Sequence, residues 1–125
     1  MIDWSARTSP GSMLRVTAPD LPALLDDLEA HFRDRRGFAL ATLNLDHLVK
    51  LRSDAAFARA YRAHSHVTAD GNPIVWLSRL AGRPVTLIPG SDLIGPVTRL
   101  AGRTGTTVAL FGATEAALEA AGGAL

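Results

Sequence analysis

The sequence predicts an α/β domain in which helices cover both faces of a mostly parallel sheet. Three apolar segments, 38–43, 64–69 and 106–111, have the length and composition of strands. Segments with helical periodicity separate them, and strands that alternate with helices form parallel sheets. The 125 residues are 47% hydrophobic and 20% charged, which suits one folded domain. We therefore expect residues 1–125 to form a single α/β domain.

The segments before the first of these strands predict a lead-in, a short strand and a helix. Residues 1–11 are polar and predict a loose lead-in, whereas 12–17 has the length of a strand. The helix opens at Pro19 and Asp20 and is expected to stop at Gly37. Its apolar residues recur every three or four positions and form one stripe: Leu21, Leu24, Leu25, Leu28 and Phe32.

Two helical segments follow the first strand, and another follows the second. Residues 45–52 have helical periodicity, and Asp54 can cap a further helix that carries Tyr61 on one face. After the second strand, Pro73 suits the first position of a helix with Asn72 as its cap. This helix is apolar nearly all round, which predicts burial on most sides.

The C-terminal third continues the alternation. Residues 85–88 form a short β-branched run, and the next helix begins at Ser91 or near Gly95. The strand predicted at 106–111 leads into an alanine-rich helix from Glu115. A parallel sheet seldom ends on such a helix, so we expect either a compact stop or a sheet that is incomplete at its C-terminal side.

Composition excludes several classes of protein. The chain has no cysteine, which excludes disulfides and thiolate zinc sites. Its 13 basic and 12 acidic residues are interspersed and give a net charge of +1, so no basic face indicates nucleic-acid binding. Neither a membrane-spanning stretch nor a signal peptide is present. These observations favour a cytoplasmic protein and leave peripheral membrane contact open.

Polar side chains follow the first two predicted strands. Thr42 and Asn44 lie two positions apart, so both point to the same side of an extended backbone, where they could bind a sugar or a uracil-like base. Asn44 could instead only cap the following helix. Ligands bind beyond the carboxyl ends of parallel strands, so we expect these residues and those after the second strand to share one pocket.

The second of these turns is Asp70-Gly71-Asn72-Pro73. If Asn72 caps the helix, the Asp70 carboxylate is not needed for capping and is well placed as a general base, with Gly71 giving close backbone access. The alternative is an aspartate that only stabilises its own turn.

Two other turns precede helices, whose free N–H groups can attract phosphate. One contains Gly90 and Asp92, the other Gly112, but neither a GxGxxG nor a GxxxxGK[ST] motif is present. His64 and His66 share a strand face and could form a metal pair. Because no third ligand has suitable spacing, we expect no metal site.

Four motifs in this order, TLNLDHLV, TADGNPIVW, PGSDL and VALFGA, resemble the WecG/TagA/CpsF glycosyltransferase family. The resemblance covers most of the chain, from about residue 41 to the last helix. It implies a Rossmann-like fold and an inverting, metal-independent transfer of a hexose, typically N-acetylmannosamine. The donor would be a UDP-sugar and the acceptor a polyprenyl-diphosphate-linked sugar in bacterial surface-polysaccharide synthesis.

The resemblance also implies roles for particular residues. The catalytic base would be Asp70, with Thr42 and Asn44 lining the same pocket and no cofactor beyond the donor. The other substrate-binding residues that we expect are Gly71, Asn72, Gly90, Asp92 and Gly112. The lipid-linked acceptor would bring a cytoplasmic protein to the inner face of the membrane.

Two departures from the family pattern support an alternative. Leu87 occupies a position where members often carry an arginine, and the family's catalytic domain continues further, with more strands and a basic, membrane-associating tail. The chain could therefore be a truncated or non-catalytic nucleotide-sugar-binding module, or an interaction domain whose polar turns are only caps. An incomplete sheet edge would also favour homo-oligomers.

Overall fold

A computed structural model describes residues 16–112 and 114–125 of the chain. Six helices and two strands follow one another in these residues: α1 (Leu21–Arg33), β1 (Leu40–Leu43), α2 (Leu45–Ser53), α3 (Ala55–Arg62), β2 (His66–Ala69), α4 (Asn72–Leu80), α5 (Gly90–Arg103) and α6 (Glu115–Ala124). The strands are parallel, with a register that runs from Leu40 opposite His66 to Leu43 opposite Ala69. The α/β class is confirmed. The described residues show two paired strands rather than a full Rossmann-like sheet.

β2 has hydrogen-bonding partners on both sides. β1 lies along one side, and on the other the backbone N–H groups of Thr17 and Ile88 donate to Val67 and Ala69 at 2.9 and 2.8 Å. Leu87 forms an isolated parallel bridge with Ala69. The β-branched run at 85–88 therefore continues the sheet by one bridge, and all four β2 residues are buried.

Side chains that alternate across the sheet divide the core into two clusters. The first contains Leu43, Val67 and Ala69 and packs with Tyr61 of α3 and Ile74 of α4. The second packs α1 against α5 and the other side of β1. It is formed by Leu24, Leu28, Ile88, Leu93 and Leu100, with Leu40 beside them. Helices thus lie on both faces of the paired strands.

Hydrogen bonds at the helix ends explain why the helices begin where they do. Asp20, Asn44, Asp54 and Thr114 each accept a backbone N–H with the side chain and cap α1, α2, α3 and α6. α4 differs from the prediction, because Gly71 caps it without a side-chain bond and Asn72 is already its first residue. The φ of Gly71 is 99°, a value that side-chain-bearing residues rarely adopt.

The segment 106–111 is not a strand, so the third predicted strand is wrong. Val108 and Leu110 are 45% and 40% exposed and Phe111 is fully exposed. Strand propensity acts through pairing and burial, and this segment has no strand partner among the described residues. A β-branched and aromatic composition alone therefore does not make it a strand.

Other expectations also need correction. α1 ends at Arg33 rather than near Gly37, and Arg35 adopts the left-handed turn with φ 53°. α4 is less buried than its composition predicted, because Trp76 and Leu80 are 63% and 86% exposed. α5 begins at Gly90, one residue before the first of the two predicted starts.

Two further expectations concern the N-terminus and the membrane. Residues 1–11 and most of the strand predicted at 12–17 lie outside the described residues. Within the described ranges, no helix is both long and apolar enough to cross a bilayer.

Candidate active site at the carboxyl end of the sheet

The carboxyl ends of β1 and β2 meet the start of α5. The backbone N–H of Gly90 donates to Asp70 Oδ2 at 3.4 Å. A Cβ atom added at Gly90 would lie 3.2 Å from Thr42 Cγ2, 3.5 Å from Thr42 Oγ1 and 3.9 Å from Asp70 Oδ2. The three residues are half-buried. The fold therefore brings a hydroxyl, a carboxylate and a helix N-terminus into one small space.

The backbone of Asp70 is fixed by a hydrogen bond, whereas its carboxylate takes little part in stabilising the fold. Its N–H donates to Leu43 O at 2.8 Å, which extends the β1–β2 ladder by one bond. Gly71 then turns the chain into α4, which has no side-chain cap. In the described part of the chain, the N–H of Gly90 is the one hydrogen bond that this carboxylate receives. Asp70 is thus fixed in place with acceptor capacity left for a ligand.

The N-terminus of α5 lies beside this carboxylate. Pro89 caps the helix without a side-chain bond, and α5 is 14 residues long. The free N–H groups and the dipole at such an end favour negative charge. Asp92 lies in this first turn but is exposed, and its carboxylate accepts from Ser91 Oγ at 3.2 Å.

Asn44 has a clear structural role. Its Oδ1 accepts from the backbone N–H of His47 at 2.9 Å and caps α2. This is the helix-cap alternative that the sequence left open. The cap uses one oxygen, and within the described residues no partner is found for the Asn44 side-chain NH₂ group. Capping and ligand binding by Asn44 are therefore compatible.

Tyr61 and His47 contact the backbone oxygen of Thr42 near the carboxyl end of β1. The sequence did not reveal this role. Tyr61 OH donates to Thr42 O at 2.8 Å, and His47 Nδ1 lies 3.0 Å from the same carbonyl oxygen and 2.9 Å from the Tyr61 oxygen. Burial raises the pKa of Tyr61 to about 12, and the charge of Asp70 contributes to the rise. Tyr61 therefore stays protonated and keeps donating. An aromatic residue on a helix face predicts core packing, and nothing in its spacing indicates this hydrogen bond.

The remaining predicted residues are spread around this point. Gly71 adjoins Asp70, whereas the side chains of Asn72 and Asp92 are exposed. Gly112 is exposed too, and no hydrogen bond in the described ranges links it to Asp70 or Thr42. The turn expected at 111–114 includes Ala113, which lies outside the described residues. The structure thus brings Thr42, Asp70 and Gly90 together and does not bring Gly112 to them.

Comparison with known proteins agrees with the motifs in the sequence. The family model described as the glycosyl transferase WecG/TagA/CpsF family matches residues 12–125, nearly the whole chain. Neither a curated protein nor a solved structure matches the chain significantly.

Proposed function

Because the chain belongs to the WecG/TagA/CpsF glycosyltransferase family, we propose that it transfers a hexose from a UDP-sugar to a polyprenyl-diphosphate-linked acceptor. Membership of the family supports a sugar donor, an acceptor and a part in cell-surface polysaccharide synthesis. The proposal adds an N-acetylmannosamine-like sugar, inversion at the anomeric carbon and independence from metal. It also adds a Rossmann-like sheet in which β1, β2 and the segment at Leu87 are neighbours.

The observation that carries the proposal is the position of Asp70. Its carboxylate follows β2 at the carboxyl end of the sheet, where ligands of parallel α/β folds bind. It caps no helix and lies beside Thr42 and the start of α5. The N–H of Gly90 donates to its Oδ2, and the carboxylate keeps the capacity to accept a proton from a substrate hydroxyl.

The proposed reaction is a single displacement. The acceptor hydroxyl oxygen attacks the anomeric carbon and forms the new glycosidic bond, while its proton passes to Asp70. The bond between that carbon and the β-phosphate oxygen breaks, and UDP leaves with the electron pair. Free N–H groups at the start of α5 would stabilise the charge of the departing diphosphate.

Thr42 and Asn44 have positioning roles in this proposal. The Thr42 hydroxyl lies next to Gly90, and the Asn44 NH₂ group can still donate while its oxygen caps α2. Both groups can bond sugar or uracil oxygens. Tyr61 keeps the backbone at Thr42 in place. Since the proposed acceptor is lipid-linked, the reaction would occur at the cytoplasmic face of the membrane, with the protein bound peripherally.

One observation favours a second candidate function. Leu87 forms the bridge with Ala69, at a position where members of the family often carry an arginine. Its side chain is 37% exposed and offers no charge. A module that binds a nucleotide sugar without turning it over would tolerate this loss better than an enzyme would.

The test measures transfer and UDP binding on the same samples. Asp70→Asn should lower the transfer rate by about 100-fold or more, the usual contribution of a general base, and keep UDP affinity within a few-fold. Asp26→Asn removes an exposed carboxylate of α1 and should behave as the wild type. Undiminished transfer by Asp70→Asn would refute the catalytic role.

The wild-type protein separates the two candidates. UDP binding by calorimetry without transfer to a lipid-linked acceptor would favour the binding module. Absence of UDP binding would contradict both and favour an interaction domain.

A further inference from the structure

The amino end of the sheet gathers a carboxylate and two imidazoles from separate elements. Asp27 and His31 lie one turn apart on α1, and His66 is the first residue of β2. One potential ligand atom from each residue lies within 4.8 Å of the other two. Asp27 is exposed, His31 is half-buried and His66 is only 5% exposed. His66 therefore meets α1 here instead of pairing with His64, whose Nδ1 lies 2.8 Å from Ala60 O.

Hydrogen bonds and a T-shaped ring contact hold the two imidazoles in place beside Asp27. His31 Nδ1 lies 2.9 Å from the backbone oxygen of Asp27, which can only accept, so Nδ1 carries the proton. His66 Nδ1 lies 2.8 Å from Ser65 Oγ, and the Ser65 hydroxyl donates to Ala39 O at 3.1 Å. In that arrangement Ser65 Oγ can accept from His66 Nδ1. A ring that carries its proton on Nδ1 has its lone pair on Nε2, as in most metal-bound histidines.

In the metal-free protein, the proton of a hydrogen bond joins His66 to Asp27. His66 Nε2 lies 2.6 Å from Asp27 Oδ2 across 39 residues of sequence. This hydrogen bond lowers the pKa of Asp27. A metal ion can take the place of that proton, because it also binds the nitrogen lone pair and the carboxylate oxygen at once. The exposed Asp27 side chain has room to move outward as the ion enters.

We infer that Asp27, His31 and His66 form a binding site for a divalent transition-metal ion such as Zn²⁺, with water completing the coordination. Two imidazoles and one carboxylate make a common zinc donor set. Mg²⁺ and Ca²⁺ prefer oxygen ligands and are not expected to bind here. The role is structural, because the site lies at the end of the sheet opposite to Asp70. The ion would tie α1 to the beginning of β2.

The surroundings allow access and also set a limit on affinity. A cavity of about 410 Å³ adjoins the cluster and includes His31 among its lining residues, so a hydrated ion can reach it. Arg35 and Arg36 line the same cavity and disfavour a cation. Arg36 pairs with Asp34 at 3.3 Å, which reduces this repulsion. With three ligands and these charges, we expect an affinity in the micromolar range rather than that of a closed four-ligand site.

The test uses the full chain without an affinity tag, freed of metal with a chelator and dialysed. Zn²⁺ binding is measured by calorimetry, and Co²⁺ serves as a probe because its visible absorption reports tetrahedral imidazole and carboxylate ligation. Melting is followed with and without Zn²⁺. The variants are Asp27→Asn and His31→Gln. Asp26→Asn and His64→Gln are their matched controls, because each removes the same kind of group, a carboxylate or an imidazole, outside the cluster.

We expect one Zn²⁺ per chain, a Co²⁺ absorption band and a rise in Tm on adding Zn²⁺, because an ion that binds only the native state stabilises it. Asp27→Asn and His31→Gln should each weaken binding by about tenfold or more and lose most of the Tm rise. The controls should match the wild type. Absence of saturable binding, or equal binding by His31→Gln and His64→Gln, would overturn the inference and leave a hydrogen-bonded His66–Asp27 pair. Circular dichroism identifies a variant that fails to fold, and the other variant then decides.

Discussion

The two ends of the parallel sheet carry similar polar side chains and use them differently. At the amino end, His66 bonds to both Ser65 and Asp27, and Ser65 also bonds the backbone of Ala39. At the carboxyl end, Thr42 and Asp70 keep hydrogen-bonding groups without partners among the described residues, while their backbones are fixed by neighbouring elements. Side chains that bond one another tie elements of the fold together, and the ion inferred at this end would do the same. Rigidly held side chains with free capacity are suited to a ligand.

After Asp70→Asn, the largest expected effect tests the space at the carboxyl end. Gly90→Ala places a methyl group 3.2 Å from Thr42 Cγ2, in the region proposed for the substrate. We expect transfer and UDP affinity to fall by about tenfold or more, equivalent to about 1.4 kcal/mol of lost interaction. Gly102→Ala is the matched control on the same helix, where an added Cβ meets nothing within 4 Å. It should leave function unchanged and stabilise the helix by up to about 1 kcal/mol. Equal activity of the two variants would place the substrate elsewhere.

The next effect concerns the hydrogen bond from Tyr61 to the backbone of Thr42 at the carboxyl end of β1. Tyr61→Phe removes the hydroxyl that donates to Thr42 O, while His47 remains near that oxygen. We expect a loss of about 1–2 kcal/mol in the free energy of unfolding, measured with urea. Because the pKa of Tyr61 is raised from 10.0 to about 12, the difference between variant and wild type should stay constant from pH 7 to about pH 9 and shrink as the pH rises from about 10 to 12. A difference that disappears by pH 10 would show that the hydroxyl ionises earlier than the structure implies.

Asn44 allows capping to be separated from ligand binding. Asn44→Ala removes the bond to His47 N–H and should cost about 1 kcal/mol of stability. Asn44→Asp keeps an oxygen for the cap and should stay within a few tenths of a kcal/mol of the wild type. Both remove the NH₂ donor, so both should lower UDP-sugar affinity. If Asn44→Asp binds the donor normally, Asn44 is a helix cap and no more.

The smallest effect tests the amino end by acid titration in the presence of a chelator. The hydrogen bond from His66 lowers the pKa of Asp27 below its ordinary 3.8, so the native state favours the carboxylate. That contribution is fully present above pH 4 and is lost as the pH falls through the lowered native pKa. Because the Asp27 side chain is 56% exposed, solvent screening should hold the contribution below about 1 kcal/mol.

Urea unfolding of the wild type and Asp27→Asn measures this contribution from pH 7 down to the acid limit of folding. Their difference in stability should shrink below pH 4. Asp26→Asn, one residue earlier on the same helix, is the matched control. A gap between Asp27→Asn and wild type that grows as the pH falls below 4 would contradict the assignment.

Much of the local structure could be predicted because its signals lie within a few residues of one another. The apolar stripe from Leu21 to Phe32 predicted α1, and Asn44 and Asp54 were recognised as possible caps. The same reasoning failed at 106–111, where strand-like composition lacks a partner strand, and at Asn72, where Gly71 with its positive φ takes the cap position.

The candidate site was only partly predictable for a related reason. Thr42 and Asp70 were expected to converge because parallel strands end at the same edge, and the structure places both beside Gly90. The bond between Tyr61 and the backbone of Thr42 spans 19 residues and leaves no periodic trace in the sequence. His66 was considered with His64, its neighbour in sequence, although its partners lie on α1.

By itself, the sequence determined the α/β class, most of the helices with their caps, and the family, since these depend on short-range periodicity, capping chemistry and ordered motifs. Tertiary packing alone decided which distant side chains meet. Asp27 and His66 are separated by 39 positions, and this stretch of chain can close in many ways. The packing of α1 and α5 on one face of the paired strands selects one of them.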